Sequence, residues 1–152
     1  MPNDKPSNLT LRDRERLAGV HPVLIAAIDR HFGTMAASGA PMMVVKGVRT
    51  AVEQAEVYKI GRDKDHIGPN VRPGHPFGDP VTMRDGVKVK SDHQVHCDGL
   101  GHAVDCAFRT STPYVEPKPG AWEQFGTLFE ADGFTWGGRW THPHDAPHVE
   151  IA

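Results

Sequence analysis

Residues 91–105 read Ser91-Asp92-His93-Gln94-Val95-His96-Cys97-Asp98-Gly99-Leu100-Gly101-His102-Ala103-Val104-Asp105, and the rest of the chain is interpreted from them outward. Ala103 to Phe108 alternates in a way that predicts a strand, with Ala103, Asp105 and Ala107 on one face and His102, Val104 and Cys106 on the other. A carboxylate at the centre of an apolar strand is costly unless a metal or a partner holds it. A second cluster, Asp145-Ala146-Pro147-His148-Val149-Glu150, closes the chain. His93, Asp105 and His148 together would give zinc three protein ligands and leave a fourth position for water, the composition of a catalytic site. A closed structural site would more often add a thiolate, and only Cys97 and Cys106 are available.

Working back from this stretch, helix and strand signals alternate. Thr10-Leu11-Arg12-Asp13 has the form of a capping box and predicts a helix over 11–18 that Gly19 closes. Pro22 suits a first helical position, and Leu24, Ala27, Ile28, His31, Phe32 and Met35 recur at helical spacing until Ser38-Gly39. Met42–Lys46 predicts a buried strand, central in its sheet, ended by Gly47. Thr50-Ala51-Val52-Glu53 is a second capping box, and its helix shows Ala51, Ala55 and Tyr58 on one face before Gly61. Arg49 then falls at the strand-to-helix turn and Gln54 one turn inside.

Residues 61–90 are rich in Gly, Pro and charge, and a connection this long is expected to wall a site. Within it, Val81–Arg84 and Val87–Lys90 flank Asp85-Gly86 and predict a two-stranded hairpin. On the C-terminal side, Trp122, Phe125, Leu128 and Phe129 mark an amphipathic helix stopped near Gly133. Phe134–Trp136 and His148–Ile151 are expected strands around a loop carrying His142 and His144.

Composition bounds the function. A chain of 152 residues with 38% hydrophobic content holds one core, here assigned to 10–152 after an extended or disordered 1–9. The formal net charge of −2 offers no basic patch for nucleic acid. The polar start lacks the apolar core of a signal peptide, and no run approaches the roughly 20 apolar residues of a membrane span. The expectation is a monomer made in the cytoplasm without stable membrane association, with both cysteines as thiols. Ten histidines, six of them from residue 93 onward, are informative only through their arrangement.

That arrangement matches a known family. Ser91-x-His93, Gly101-x-Ala103-Val104-Asp105 and Asp145-x-x-His148 resemble the zinc peptidases that include D-alanyl-D-alanine carboxypeptidases, D-Ala-D-Ala dipeptidases and the L-alanyl-D-glutamate endolysins of bacteriophages. Gly47-Val48-Arg49-Thr50, Gln54, Tyr58 and Gly61-Arg62 are similar to the same family's helix, as is His21-Pro22. The resemblance runs from about residue 10 to the end. It implies an α+β fold of the hedgehog/D-Ala-D-Ala peptidase type, a small antiparallel sheet carrying the zinc site and packed with about four helices. It further implies Zn2+ held by His93, Asp105 and His148, with Asp145 as catalytic base; Glu150, two residues past His148 on the expected strand, is the alternative base. Arg49 becomes the oxyanion or substrate-binding cation, and Gln54 its support or a substrate contact.

The activity expected from the resemblance is that of a phage endolysin. It would hydrolyse the L-alanyl-D-glutamate bond of peptidoglycan stem peptides and reach the wall, from the host cytoplasm, through a holin-type pore. The alternatives are a D-alanyl-D-alanine carboxypeptidase or dipeptidase, and a metal-stabilised binding module of the hedgehog kind. Two departures from the family pattern stand out. His93 and Asp105 are twelve positions apart where seven is the common form, which leaves His96 as an alternative first ligand. Arg139 occupies a place in Trp136-Gly137-Gly138-Arg139-Trp140 that is often acidic, with consequences for substrate preference or local pairing.

Overall fold

Asp105 stands mid-way along β2 (Ala103–Phe108), and the sheet assembles around that strand in a computed structural model that describes residues 7–82, 84–86, 91–141 and 144–152. One neighbour is β1 (Met42–Lys46), which pairs antiparallel with Val44 opposite Cys106 and shifts register before Lys46 meets Asp105. On the other side β4 (His148–Ile151) sets His148 directly opposite Asp105. The fourth strand, β3 (Phe134–Trp136), pairs with β4 and completes the order β1-β2-β4-β3. Directly opposed residues of an antiparallel pair hold their Cβ atoms roughly 5 Å apart. Strand register alone therefore joins side chains separated by most of the C-terminal third of the chain.

The two faces of the sheet have different occupants. Val44, Val104, Cys106, Phe108 and Val149 enter a core filled by Leu24, Ile28, Phe32 and Met35 of α2 (Pro22–Ala37) and by Phe125 and Phe129 of α4 (Ala121–Ala131). Asp105, His148 and Glu150 take the alternate positions and leave on the other face. With α1 (Leu11–Arg16) and α3 (Ala51–Lys59), the described residues contain four α-helices and one small antiparallel sheet, the α+β arrangement expected. None of the helices is long and apolar enough to cross a membrane.

Local chemistry sets most boundaries. Both halves of the predicted capping boxes form, Thr10 with Asp13 and Thr50 with Glu53. His21 adds a cap to α2, its Nδ1 accepting from Val23 N at 3.1 Å beside Pro22 at the first turn. The first helix ends at Arg16, two residues sooner than predicted, because the chain is already turning toward Gly19 at φ +83°. Of the N-terminal segment, residues 1–6 lie outside the described residues; Ser7 and Asn8 are tied to Asp29 on α2, with Asn8 N donating to Oδ1 at 2.7 Å.

Three expectations are corrected. β1 is an edge strand, not a central one. Its outward backbone groups are closed by side chains: Val44 N donates to Asp13 Oδ1 at 2.9 Å, and Arg16 Nη1 donates to Val44 O at 2.8 Å. Asp13 is 2% exposed and also accepts from Arg109 Nη2 at 2.8 Å, so α1 seals an edge that would otherwise offer unpaired groups to another chain. Asp13→Ala should strip an acceptor from Val44 N, Arg109 Nη2 and Thr10 N at once and cost about 3 kcal/mol. Chemical denaturation measures this, and an unchanged midpoint would show that water replaces the carboxylate.

The second correction concerns α3: of the face formed by Ala51, Ala55 and Tyr58, Ala51 is exposed and the other two are half-buried, and the buried residue is Gln54. This helix covers polar loop backbone and needs no apolar stripe. Third, Val81, Thr82, Arg84 and Asp85 form no strand. The carbonyls of Thr82 and Arg84 accept from Arg62 Nη2 at 2.9 Å and Gln54 Nε2 at 2.7 Å, occupying places a cross-strand ladder would need. The partner segment 87–90 lies outside the described residues.

Candidate metal centre

His93, Asp105 and His148 converge beyond the polar face of the sheet, with one ligand-type atom from each within 4.8 Å of the others. β2 and β4 supply the last two by register. His93 arrives from the segment before β2, and it is anchored on the strand-to-helix turn: its carbonyl accepts from Arg49 N at 2.8 Å and its Nδ1 lies 2.8 Å from Gly47 O. A carbonyl only accepts, so Nδ1 carries a proton, and in the neutral ring Nε2 is the nitrogen free to bind a metal. Nε2 lies 3.3 Å from Asp105 Oδ1 and 3.2 Å from His148 Nδ1. His148 is arranged in the opposite sense, with Nε2 2.8 Å from Glu150 Oε2 and Nδ1 3.1 Å from Asp105 Oδ1.

These contacts decide whether a metal fits. Each imidazole spends one nitrogen on an oxygen acceptor and turns the other toward a shared carboxylate, the arrangement by which metal-binding histidines are oriented. Two nitrogens and one oxygen match a catalytic zinc set, and neither Cys97 nor Cys106 belongs to the cluster. Cys106 is fully buried on the core face, where burial pushes its thiol up.

The electrostatics are those of a tight ion cluster. Burial would raise the Asp105 carboxyl, but the charges of His93 and His148 and their hydrogen bonds outweigh it and hold the group well below the usual carboxylate range. For His148, burial works downward, and Asp105 and Glu150 more than reverse it, pushing the imidazole up to about 10. Asp145 is raised to about 6 by its own burial and by the neighbouring charge of Asp105. Its Oδ2 lies 3.9 Å from His148 Nδ1.

Around the cluster opens a groove of about 1070 Å³. Arg49 and Asp145 line it with the three converging side chains, and the long connection supplies a wall through Asn70, Arg72, Asp79 and Arg84, as its length predicts. The Arg49 guanidinium lies 3.7 Å from Asp105 Oδ2 and donates to Gln54 Oε1 at 2.7 Å. Gln54 is fully buried beneath it. It braces Arg49 and in turn donates to Arg84 O at 2.7 Å.

Comparison with known proteins gives this geometry a lineage. The family model described as D-alanyl-D-alanine carboxypeptidase matches residues 86–151, the span holding all three converging residues. Over 147 residues the chain is 25% identical to the peptidoglycan L-alanyl-D-glutamate endopeptidase CwlK of Bacillus subtilis (strain 168), covering 95% of this chain and 81% of that protein. The chain is thus similar, over its C-terminal part, to the D-alanyl-D-alanine carboxypeptidase family and, over nearly its whole length, to an L-alanyl-D-glutamate endopeptidase.

Solved structures agree on the peptidase fold. The L-Ala D-Glu endopeptidase ChiX of Serratia marcescens superposes with a TM-score of 0.52 at 23% identity, covering 95% of this chain and 89% of its own. The vancomycin-resistance D,D-pentapeptidase VanY, solved as its E175A mutant with Zn(II), gives 0.54 at 16% identity, covering 87% and 72%.

The lengthened interval between His93 and Asp105 is a closed excursion. Val95 bridges Gly101, and His96 N donates to Leu100 O at 2.9 Å. The extra residues loop out and return without displacing His93. His96 is carried away from the cluster, its ring stacked on His102 at 3.9 Å and its Nε2 3.2 Å from Asp92 Oδ1. Arg139 lies outside the groove lining. It pairs with Glu123 at 2.6 Å and Glu130 at 2.9 Å, over the Trp136 ring, so local pairing is what the cation does.

Trp140 and His144 line the groove, although their motif and loop gave them no role there in the sequence. Trp140 places its ring 5.0 Å from that of His148, and His144 is an exposed lining residue; His142 lies outside the described residues. The roles of Gly47 and Glu150 depend on which ring nitrogen faces which oxygen, information that only the assembled sheet contains.

Proposed function

We propose that this peptidase is a zinc-dependent endopeptidase that cleaves the L-alanyl-D-glutamate bond in peptidoglycan stem peptides. The observation carrying the reading is the convergence of His93 Nε2, Asp105 Oδ1 and His148 Nδ1 on one side of a groove with Asp145 beside them. The bond preference follows the likeness to an L-alanyl-D-glutamate endopeptidase over nearly the whole chain.

Held by His93, Asp105 and His148, a zinc ion would supply a Lewis acid for the scissile carbonyl and lower the pKa of a water toward 7. Asp145 is placed to take the proton from the attacking water as its oxygen bonds to the carbonyl carbon. The same carboxyl then returns that proton to the leaving nitrogen as the C–N bond breaks, so water is consumed and no covalent enzyme intermediate is needed. Arg49, braced by Gln54, is the fixed cation for the oxygen on which negative charge develops.

Digestion of purified murein followed by mass analysis tests the assignment. The expected products are peptides with a new amino terminus on D-glutamate. Release of free D-alanine, with the stems otherwise whole, would favour the alternative of a D-alanyl-D-alanine carboxypeptidase, the activity that describes the matching family model.

The wider setting is part of the same proposal and rests on the resemblance. The protein would act as a phage endolysin, held in the host cytoplasm until a holin-type pore admits it to the wall. Expression with and without a separate pore-forming protein tests this: lysis should require the pore, and lysis without it would contradict the setting.

A further inference from the structure

Glu150 has no part in the chemistry above, yet the structure gives it a defined task. It lies on β4 two residues past His148, 14% exposed at the side chain, with Oε2 2.8 Å from His148 Nε2. A carboxylate accepting from that nitrogen keeps the proton on Nε2, which leaves the neutral ring's lone pair on Nδ1. Nδ1 is the nitrogen facing Asp105 and His93. The Asp92 side chain lines the same groove as Glu150.

Asp92 adjoins His93, and its backbone carbonyl accepts from His102 N at 2.8 Å, next to the start of β2. Its carboxyl also lies 3.2 Å from His96 Nε2 and 3.8 Å from Arg84 Nη2. Asp92 thus belongs to the segment that delivers His93, and Glu150 to the strand that delivers His148. For His93 the equivalent hold comes from a backbone carbonyl, Gly47 O, which no side-chain substitution removes. For His148 it comes from one side chain.

We infer that Glu150 is a positioning residue for the metal centre, which locks His148 in the ring orientation and tautomer that present Nδ1 to a bound ion. The inference rests on the reading of His93, Asp105 and His148 as zinc ligands. It also distinguishes Glu150 from a general base, whose loss would abolish turnover and leave zinc affinity unchanged.

Chelator competition on the full chain, with zinc as the probe, separates these roles. Glu150→Ala should weaken zinc binding by roughly 10–100-fold, the usual cost of removing an outer partner of a metal-binding histidine. Glu150→Gln, whose amide oxygen still accepts from Nε2–H, should stay nearer the parent, and saturating zinc should restore turnover to the alanine variant. Nitrogen NMR of the zinc-loaded parent is the second reading and needs no variant to fold: His148 should coordinate through Nδ1 with Nε2 protonated. Coordination through Nε2, or unchanged zinc affinity in a folded Glu150→Ala, overturns the positioning role alone. A parent that binds no zinc overturns the metal-centre reading as well.

Discussion

Asp145→Asn should leave the zinc in place and lower peptide hydrolysis by about 10²–10⁴-fold, the range over which positioned acid–base groups act. The substitution keeps size and hydrogen-bonding capacity but removes the ability to take up a proton. Asp145 lies on the loop entering β4, its Oδ2 3.9 Å from His148 Nδ1 and its side chain on the groove. Of the other carboxylates lining the groove, Asp105 faces both imidazoles, Glu150 lies at the far nitrogen of His148, Asp92 lies against His96 and Asp79 pairs with Arg72. Turnover at saturating zinc, read beside metal content, checks the prediction. Activity close to the parent's in the zinc-loaded variant would assign the proton transfer elsewhere.

The second large effect is expected at the centre of β2. Asp105→Ala should lose zinc and hydrolysis together, with a fall in affinity beyond the roughly 100-fold attached to outer partners. What remains is His93 Nε2 and His148 Nδ1, 3.2 Å apart, two neutral donors without the anion that lies 3.3 Å and 3.1 Å from them. Arg49, 3.7 Å from the same carboxylate, also loses its neighbour and becomes a net positive charge beside the site. The strand itself should persist, since Val104, Cys106 and Phe108 still fill the core. Metal titration by calorimetry, with circular dichroism as the control for folding, measures the loss. Stoichiometric zinc binding by the variant would show that Asp105 is not a ligand.

What could be read from the chain before folding divides along the range of the interactions involved. Helix starts were legible at Thr10, Pro22 and Thr50 because a cap is made within four residues, and the strand around Asp105 because alternation is local. The edge position of β1 was not, since Met42–Lys46 is as apolar as a central strand when Asp13, Arg16 and Arg109 close its free side. Nor was the polar character of α3, because Gln54 answers to Arg49 and Arg84 and not to a core.

The same division runs through the site. His93, Asp105 and His148 are distinguished in the sequence by motif, and the sheet brings them together. Between His93 and His96, spacing alone was ambiguous, and the Val95–Gly101 bridge that removes His96 is a tertiary fact. The Asp85-Gly86 turn signal was present, but side chains of Arg62 and Gln54 reach the carbonyls beside it. Glu150 invited a reading as a base from its place two residues past His148. Only the ring orientation shows it behind the histidine.

The most direct measurement is zinc K-edge absorption on the purified, zinc-loaded peptidase, followed by a zinc-bound crystal structure. One ion per chain is expected, coordinated by His93 Nε2, His148 Nδ1 and one Asp105 oxygen, with Asp145 close by but not coordinating. Zinc bound at other residues, or a protein that takes up none, would contradict the account.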